Sequence, residues 1–333
     1  MNDELKNLTV LRSSGHTVFK IGIDIGGTNT DIGLVNKSGV VVARKNLKTA
    51  QYSDARLFVD ALVEDIQRLM LENNIKKIAG IGIGAPCGNF YEGTIDDAAN
   101  LNFRGKIPLK KMLETQLNVS VVLTNDANAA LYGEMIYGGA KGMKNVVMFT
   151  LGTGVGGAIA VDGKILYGSD GFAGELGHSI LFPFGRKCNC GNEGCLEMYA
   201  SIRGISQTCL ELLLKFPENE LNKISKDALS PKIIAEFAHN GNYVANETYR
   251  KTGEWLGIAL ANAVVFSSPE AIFLAGGIVN AGEILLKPTR DSFTKHKLFV
   301  YKNDIPILVS QLNENDAAVL GAAALLDYID FHR

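Results

Sequence analysis

FKIGIDIGGTNT, residues 19–30, sets the architecture from which the rest of the chain can be read. Its short apolar run ends in Asp24, and Gly26, Gly27 and Thr28 then turn the chain. TDIGLV (30–35), a turn at 36–39 and the run VVVAR (40–44) continue it as further strands of a hairpin or meander. The same order returns at VVMFTLGTGVGG (146–157): an apolar run, a Gly/Thr turn, and a second run at 158–161. Two such openings predict a duplicated core, each half presenting backbone amides and threonine hydroxyls at a strand end.

Between and beyond these openings the hydrophobic spacing alternates between the two common periods. Residues 58–71, 108–117, 253–266 and 315–328 have helical spacing, with Asp316 suited to a helix N-terminus. Residues 78–84, 119–126 and 271–274 read as strands, the last opening onto AGGIVNAG. The result is an α/β chain. The composition agrees, with 47% hydrophobic and 20% charged residues in 333. Such a chain builds real cores and is no disordered polymer.

The 33 basic and 35 acidic residues give a formal net charge of -2 and no general attraction to phosphate polymers. No nucleic-acid partner is expected. The first ten residues, MNDELKNLTV, lack the basic flank and apolar core of a secretory leader. The most apolar stretch, 146–160, is interrupted by glycines and is shorter than the roughly 18 residues of a membrane span. The expectation is a soluble, cytoplasmic protein with no membrane partner.

Three glycine clusters follow apolar strands: Gly26 and Gly27 with Thr28, Gly152 with Thr153 and Gly154 (followed by Gly156 and Gly157), and Gly276 with Gly277. One cluster alone reads as a tight turn. Together they point to a nucleotide cleft, although none matches a P-loop or a dinucleotide fingerprint. Asp24 either ties down amides of its turn or stands near the transferred phosphate and a hydrated Mg²⁺, which prefers oxygen ligands.

Of five cysteines, three crowd together, and with His178 they give the spacing H-x9-C-x-C-x4-C through Cys188, Cys190 and Cys195. Four such donors suit tetrahedral zinc. Because four protein ligands close the shell, the zinc is expected to be structural. It would shape loop 178–195 and aim the second nitrogen of His178 at a substrate oxygen. Glu175 and Glu197 lie close to this loop in sequence and are suited to neighbouring hydroxyls of a polyol. Asn100, Asn125 and Asp126 supply further polar groups, and Asp126, at an apolar strand end, is the expected proton acceptor for phosphoryl transfer to a hydroxyl.

The ordered set DIGGTNT (24–30), NDANAA (125–130), LGTGVGGAI (151–159), GELGH (174–178), CNCGNEGCLE (188–197) and LAGGIV (274–279) resembles the bacterial ROK family, named for repressor, open reading frame and kinase. The resemblance runs from about residue 19 onward. It implies the actin-like, two-domain sugar-kinase fold, a duplicated ribonuclease H-like architecture with a hinged cleft. On that pattern residues 1–124 form a smaller α/β domain completed by a C-terminal helix at 315–333, and residues 125–314 form a larger α/β domain carrying the zinc loop. The resemblance makes Asp126 the catalytic base. It gives Asn100, Asn125, Glu175, His178 and Glu197 to the sugar, with the strand end at Gly84 beside them. Asp24, Gly26, Gly27, Thr28, Gly152, Thr153 and Gly154 would surround ATP phosphates and Mg²⁺, and Gly276 and Gly277 the adenosine side. It further implies a homodimer and ATP-dependent hexokinase activity, glucose first and N-acetylmannosamine or N-acetylglucosamine next. A sugar-responsive repressor or a non-catalytic sugar-binding protein is the alternative of a different class. NLTVLRSSGH (7–16) has a faint likeness to a repressor's start but is too short for a whole helix-turn-helix module. Two positions depart from the family pattern: APCGN puts Cys87 into the turn after the third strand, and NLNFRG supplies Phe103 where a tryptophan is usual.

Overall fold

Apolar residues at alternate positions, with glycine between them, carry the first half of the chain into a sheet that is covered by backbone as much as by side chains. The computed structural model describes residues 18–313 and 315–331. The expectations for the first ten residues and for segment 7–16 lie outside the described residues, as do residues 332–333 of the expected C-terminal helix. In chain order the first half runs β1 (Lys20–Ile25), β2 (Thr30–Val35), β3 (Val41–Leu47), α1 (Ala55–Glu72), β4 (Ile81–Ala85), a small sheet of β5 (Gly88–Asn89), β6 (Thr94–Asp96) and β7 (Lys106–Ile107), then α2 (Leu109–Leu117), β8 (Val121–Asn125) and α3 (Asp126–Tyr137). The second half runs β9 (Val146–Leu151), β10 (Val155–Val161), β11 (Lys164–Ile165), α4 (Glu197–Ala200), α5 (Ile202–Leu213), α6 (Pro231–His239), α7 (Tyr243–Ser267), β12 (Ala271–Ala275), α8 (Glu283–His296), β13 (Ile307–Val309) and α9 (Ala317–Phe331).

The duplication is visible in strand order. One sheet is β3-β2-β1-β4-β8 and the other β11-β10-β9-β12-β13. In both, the first three strands in sequence form an antiparallel meander and two parallel strands add beside the first. Parallel neighbours need crossover connections, and these are the helices. Among them α1 buries Phe58, Leu62, Ile66 and Leu69 and is capped by Asp54, whose carboxylate accepts the Arg56 amide at 2.6 Å.

Two helices join the halves. α3 packs on β4 of the first sheet and on β9 and β10 of the second, while α9 lies on β1 and β4 and crosses α3. A side chain on Gly133 of α3 would stand 2.8 Å from the Gly321 Cα of α9, so the absence of side chains on both sides sets this crossing distance. The α9 carbonyls of Val319 and Ala322 occupy the space that side chains on Gly22 of β1 and Gly82 of β4 would fill. No helix among the described residues is long and apolar enough to cross a membrane.

Several boundaries differ from the sequence expectation. β10 begins at Val155, so Gly156 and Gly157 are strand residues and not part of the turn. Gly157 is needed there because a Cβ would come within 2.5 Å of the Gly174 carbonyl. β8 ends at Asn125, and Asp126 opens a helix instead of ending the strand. α7 starts ten residues before the apolar run at 253–266, in a polar stretch capped by Asn242. α8 carries Pro288 inside it and was not anticipated.

Candidate active site

Strand register builds the floor of the site. Asp24 pairs with Gly84, Gly84 with Thr124, and Ala85 with Asn125. Three adjacent strands thus deliver Asp24, Gly84 and the Asn125–Asp126 step to one place. A Cβ on Gly84 would stand 3.5 Å from the Asp126 Cα and 3.9 Å from Asp24 Oδ1. Asn125 is the helix cap, its Oδ1 accepting the Ala127 amide at 2.8 Å, and Asp126 Oδ1 accepts the same amide at 2.7 Å. Asp126 therefore sits at a helix N-terminus, where the exposed amides favour a carboxylate.

The site is crowded with negative charge. Asp126 opens to solvent on one side, while the protein around it desolvates the carboxyl and pushes its pKa up, partly offset by the Ala127 amide. Burial raises Asp24 to about 7, with Asp126 and then Asp31 adding to the effect. Glu175 is raised by burial; His178 opposes that shift, and Asp126 and Glu197 reinforce it. These carboxylates lie close enough to sense one another, and a cation or a hydroxyl-rich ligand between them would relieve the repulsion.

The glycine turns form the walls. The first closes through the Gly26 amide on the Asn29 carbonyl at 2.9 Å, and a Cβ on Gly27 would lie 2.5 Å from the Asn100 carbonyl. The turn expected at phosphate and the asparagine expected at sugar are therefore in contact. Thr28 is exposed at its tip. The second turn closes through the Gly152 amide on the Gly154 carbonyl at 3.0 Å and leaves Thr153 exposed. Gly276, with φ of 94°, lies against the Leu151 backbone, and Gly277 starts a short helical turn there, so the third cluster borders the second.

The remaining wall is the cysteine loop. The ligand atoms of His178, Cys188, Cys190 and Cys195 all lie within 4.8 Å of one another. Cys190 and Cys195 sulfurs are 3.6 Å apart, and Cys188 Sγ is 3.7 Å from His178 Nδ1. Tetrahedral zinc with metal–sulfur legs of about 2.3 Å requires donor separations of about 3.8 Å, so the set fits zinc. Burial and the neighbouring thiols push Cys195 up to about 12, a crowding that metal binding removes. Nδ1 of His178 faces this cluster, and its ring follows directly from Glu175 through the short turn Leu176–His178.

Some residues were missed or stand differently. Cys87, noted in sequence only as a departure, has φ of 51° and a thiol raised by burial, then by Glu175 and Asp126, so it borders the same carboxylates. Phe103, the other departure, is buried and packs on Phe58 with ring centroids 5.2 Å apart, a core position. Arg186 gave no sequence signal. Its guanidinium lies 4.7 Å from the Tyr199 ring centre and donates to the Met198 carbonyl and Glu211, fastening the cysteine loop to α4 and α5. Glu197, expected at the sugar, spends one oxygen on the protein itself: Oε2 accepts the Val155 amide at 3.1 Å.

A family model described as the ROK family matches residues 20–328. The chain belongs to the ROK family. This ROK chain is 34% identical over 314 residues to a glucokinase of Halalkalibacterium halodurans, covering 92% of this chain and 94% of that protein. It is 30% identical over 312 residues to a xylose repressor of Caldicellulosiruptor bescii, covering 92% of this chain and 77% of the repressor. Its two-lobed fold superposes on the crystal structure of a ROK family glucokinase from Streptomyces griseus in complex with glucose and AMPPNP, with a TM-score of 0.79, 33% identity, and coverage of 92% and 98% of the two chains. The actin-like, hexokinase-type architecture implied by the ROK motifs is thus the fold of this chain.

Proposed function

We propose that this chain is an ATP-dependent hexokinase that transfers the γ-phosphoryl group to the 6-hydroxyl of a sugar, with glucose first. The observation that carries this reading is the convergence of Asp24, Asp126 and Glu175 between the two glycine turns. Similarity to glucokinases along nearly the full chain supports it.

In this reading the turns 26–28 and 152–154 cradle the nucleotide phosphates with backbone amides and the hydroxyls of Thr28 and Thr153, and Gly276 and Gly277 border adenosine. Gly84, Asn100, Asn125, Glu175, His178 and Glu197 surround the sugar. Asp126 accepts the 6-hydroxyl proton as that oxygen attacks the γ-phosphorus; its raised pKa brings it nearer the working pH of a general base. Asp24 would hold Mg²⁺, which when bound would neutralise charge on the phosphates. Zinc takes no part in the transfer; His178, Cys188, Cys190 and Cys195 hold it to shape the sugar wall. Closure of the lobes excludes water that would otherwise compete for the phosphoryl group. In the domain division expected at 124, the described part of the first domain runs from residue 18 and takes in the C-terminal helix, a division supported by the packing of α9 on β1 and β4. The working protein is a cytoplasmic homodimer without nucleic acid.

The test is ADP formation with magnesium across glucose, N-acetylmannosamine, N-acetylglucosamine, fructose and allose, with a control lacking sugar. Glucose-dependent turnover is expected. A preference for an N-acetyl sugar would overturn the substrate, and absence of any sugar-stimulated turnover in zinc-loaded protein would overturn the kinase reading. Similarity to a xylose repressor favours a sugar-responsive regulator as the second reading in that case.

A further inference from the structure

The cysteine loop and the second glycine turn are fastened to each other at both backbone groups of one residue, Val155. Glu197 Oε2 accepts the Val155 amide at 3.1 Å, and it stands 2.5 Å from the position a Cβ on Gly154 would occupy. A side chain at 154 would have to displace that carboxylate. Gly177, next to the ligand His178, lies directly against the carbonyl of the same residue, Val155. Glu197 follows the ligand Cys195 by two residues, and its Oε1 is 3.8 Å from the sulfur of Cys188. The same segment closes the turn from beyond, since the Ile202 amide at the start of α5 donates to the Gly152 carbonyl at 2.9 Å. Both halves of the metal-ligand set therefore press on the turn that the kinase reading assigns to the nucleotide phosphates.

We propose that Glu197 is a positioning residue for the phosphoryl donor: by holding the Val155 amide it fixes the turn 152–154, and so couples the cysteine cluster to nucleotide affinity. This deepens the kinase reading and rests on it. A carboxylate accepting a backbone amide makes a charge-assisted bond, stronger than a neutral one. Its loss frees the Val155 N–H and lets the turn sample conformations in which the amides no longer converge. A residue that only contacted sugar would leave nucleotide binding untouched when no sugar is present.

The experiment measures binding of a non-hydrolysable ATP analogue with magnesium, without sugar, to zinc-loaded wild type, Glu197→Ala and Glu197→Gln. Amide hydrogen exchange of the peptide spanning 151–157 and zinc content are measured on the same samples. Glu197→Ala is expected to keep its zinc, exchange faster in 151–157, and bind the analogue about tenfold more weakly. Glu197→Gln should recover most of that loss, because its amide oxygen can accept the same N–H. Unchanged analogue affinity in Glu197→Ala, or exchange in 151–157 equal to wild type, would overturn the coupling. Failure of the wild-type chain to bind the analogue would instead refute the donor reading on which the proposal stands.

Discussion

Replacing Asp24 by Asn is expected to stabilise the ligand-free protein while disabling it. The Asp24 carboxyl is raised from 3.8 to about 7, chiefly by burial and then by Asp126 and Asp31. An unfolded chain releases this proton near 3.8, whereas the folded chain holds it until about 7. Between those limits the native state binds more protons, so its stability falls as pH rises, and the loss is complete above the folded value. The full displacement corresponds to about 4 kcal/mol, and water in the open cleft screens part of it, leaving about 1–3 kcal/mol. Asparagine has the same shape and no charge to desolvate. Urea unfolding of ligand-free protein should therefore show no difference between variant and parent at pH of about 4, and a gap favouring Asp24→Asn that opens towards pH of about 8. In the parent, magnesium nucleotide should release protons on binding near neutral pH, because it favours ionised Asp24. That release should vanish in the variant together with most turnover. A variant less stable than the parent at the upper pH, or a gap independent of pH, would refute the reasoning.

Asp126→Asn should lower kcat by about 10²–10⁴-fold while leaving glucose affinity within about threefold, as separate kinetic and binding titrations would reveal; equal loss of both would make Asp126 structural. Cys190→Ser should leave the protein with markedly less zinc by elemental analysis and weaken sugar binding indirectly, and normal zinc content would remove Cys190 from the ligand set. Gly177→Ala forces a methyl group onto the Val155 carbonyl, a backbone atom that cannot swing away, so a thermal or urea melt should show a loss of about 1–3 kcal/mol. A loss near zero would mean that the loop does not lie as close to β10 as described.

What could be read from the letters is what is local. The meander beginning at Lys20 and its echo at Val146 were legible because short apolar runs ending at glycine and threonine have few other uses, and the two sheets share one strand order. The His178 and cysteine set was legible because its spacing reflects a closed loop, and the four ligand atoms do converge. Less of α7 was visible, since its first turns carry polar residues whose exposed faces give no apolar stripe, and Pro288 disguised α8. The bond from Glu197 to Val155 left no mark on local pattern, because its partners lie 42 positions apart and meet only through the fold. Cys87 was noticed as an oddity of its turn, but its closeness to Asp126 and Glu175 depends on β4 lying beside β8. The expected roles of these carboxylates were read from a strand end and from nearness to the cysteine loop, and the resemblance adds the same roles.

The contact of α9 with Gly22 and Gly82 also sets an order of events during synthesis. These glycines belong to the earlier of the two sheets to leave the ribosome, yet the carbonyls of Val319 and Ala322 that fill the space above them follow only after the second sheet has been made. The early sheet therefore waits, with α3 alone on the face that α9 will share, while the second lobe is made. Its completion waits for α9, and a chain stopped just before residue 317 would release a protein whose first-made lobe is the unfinished one.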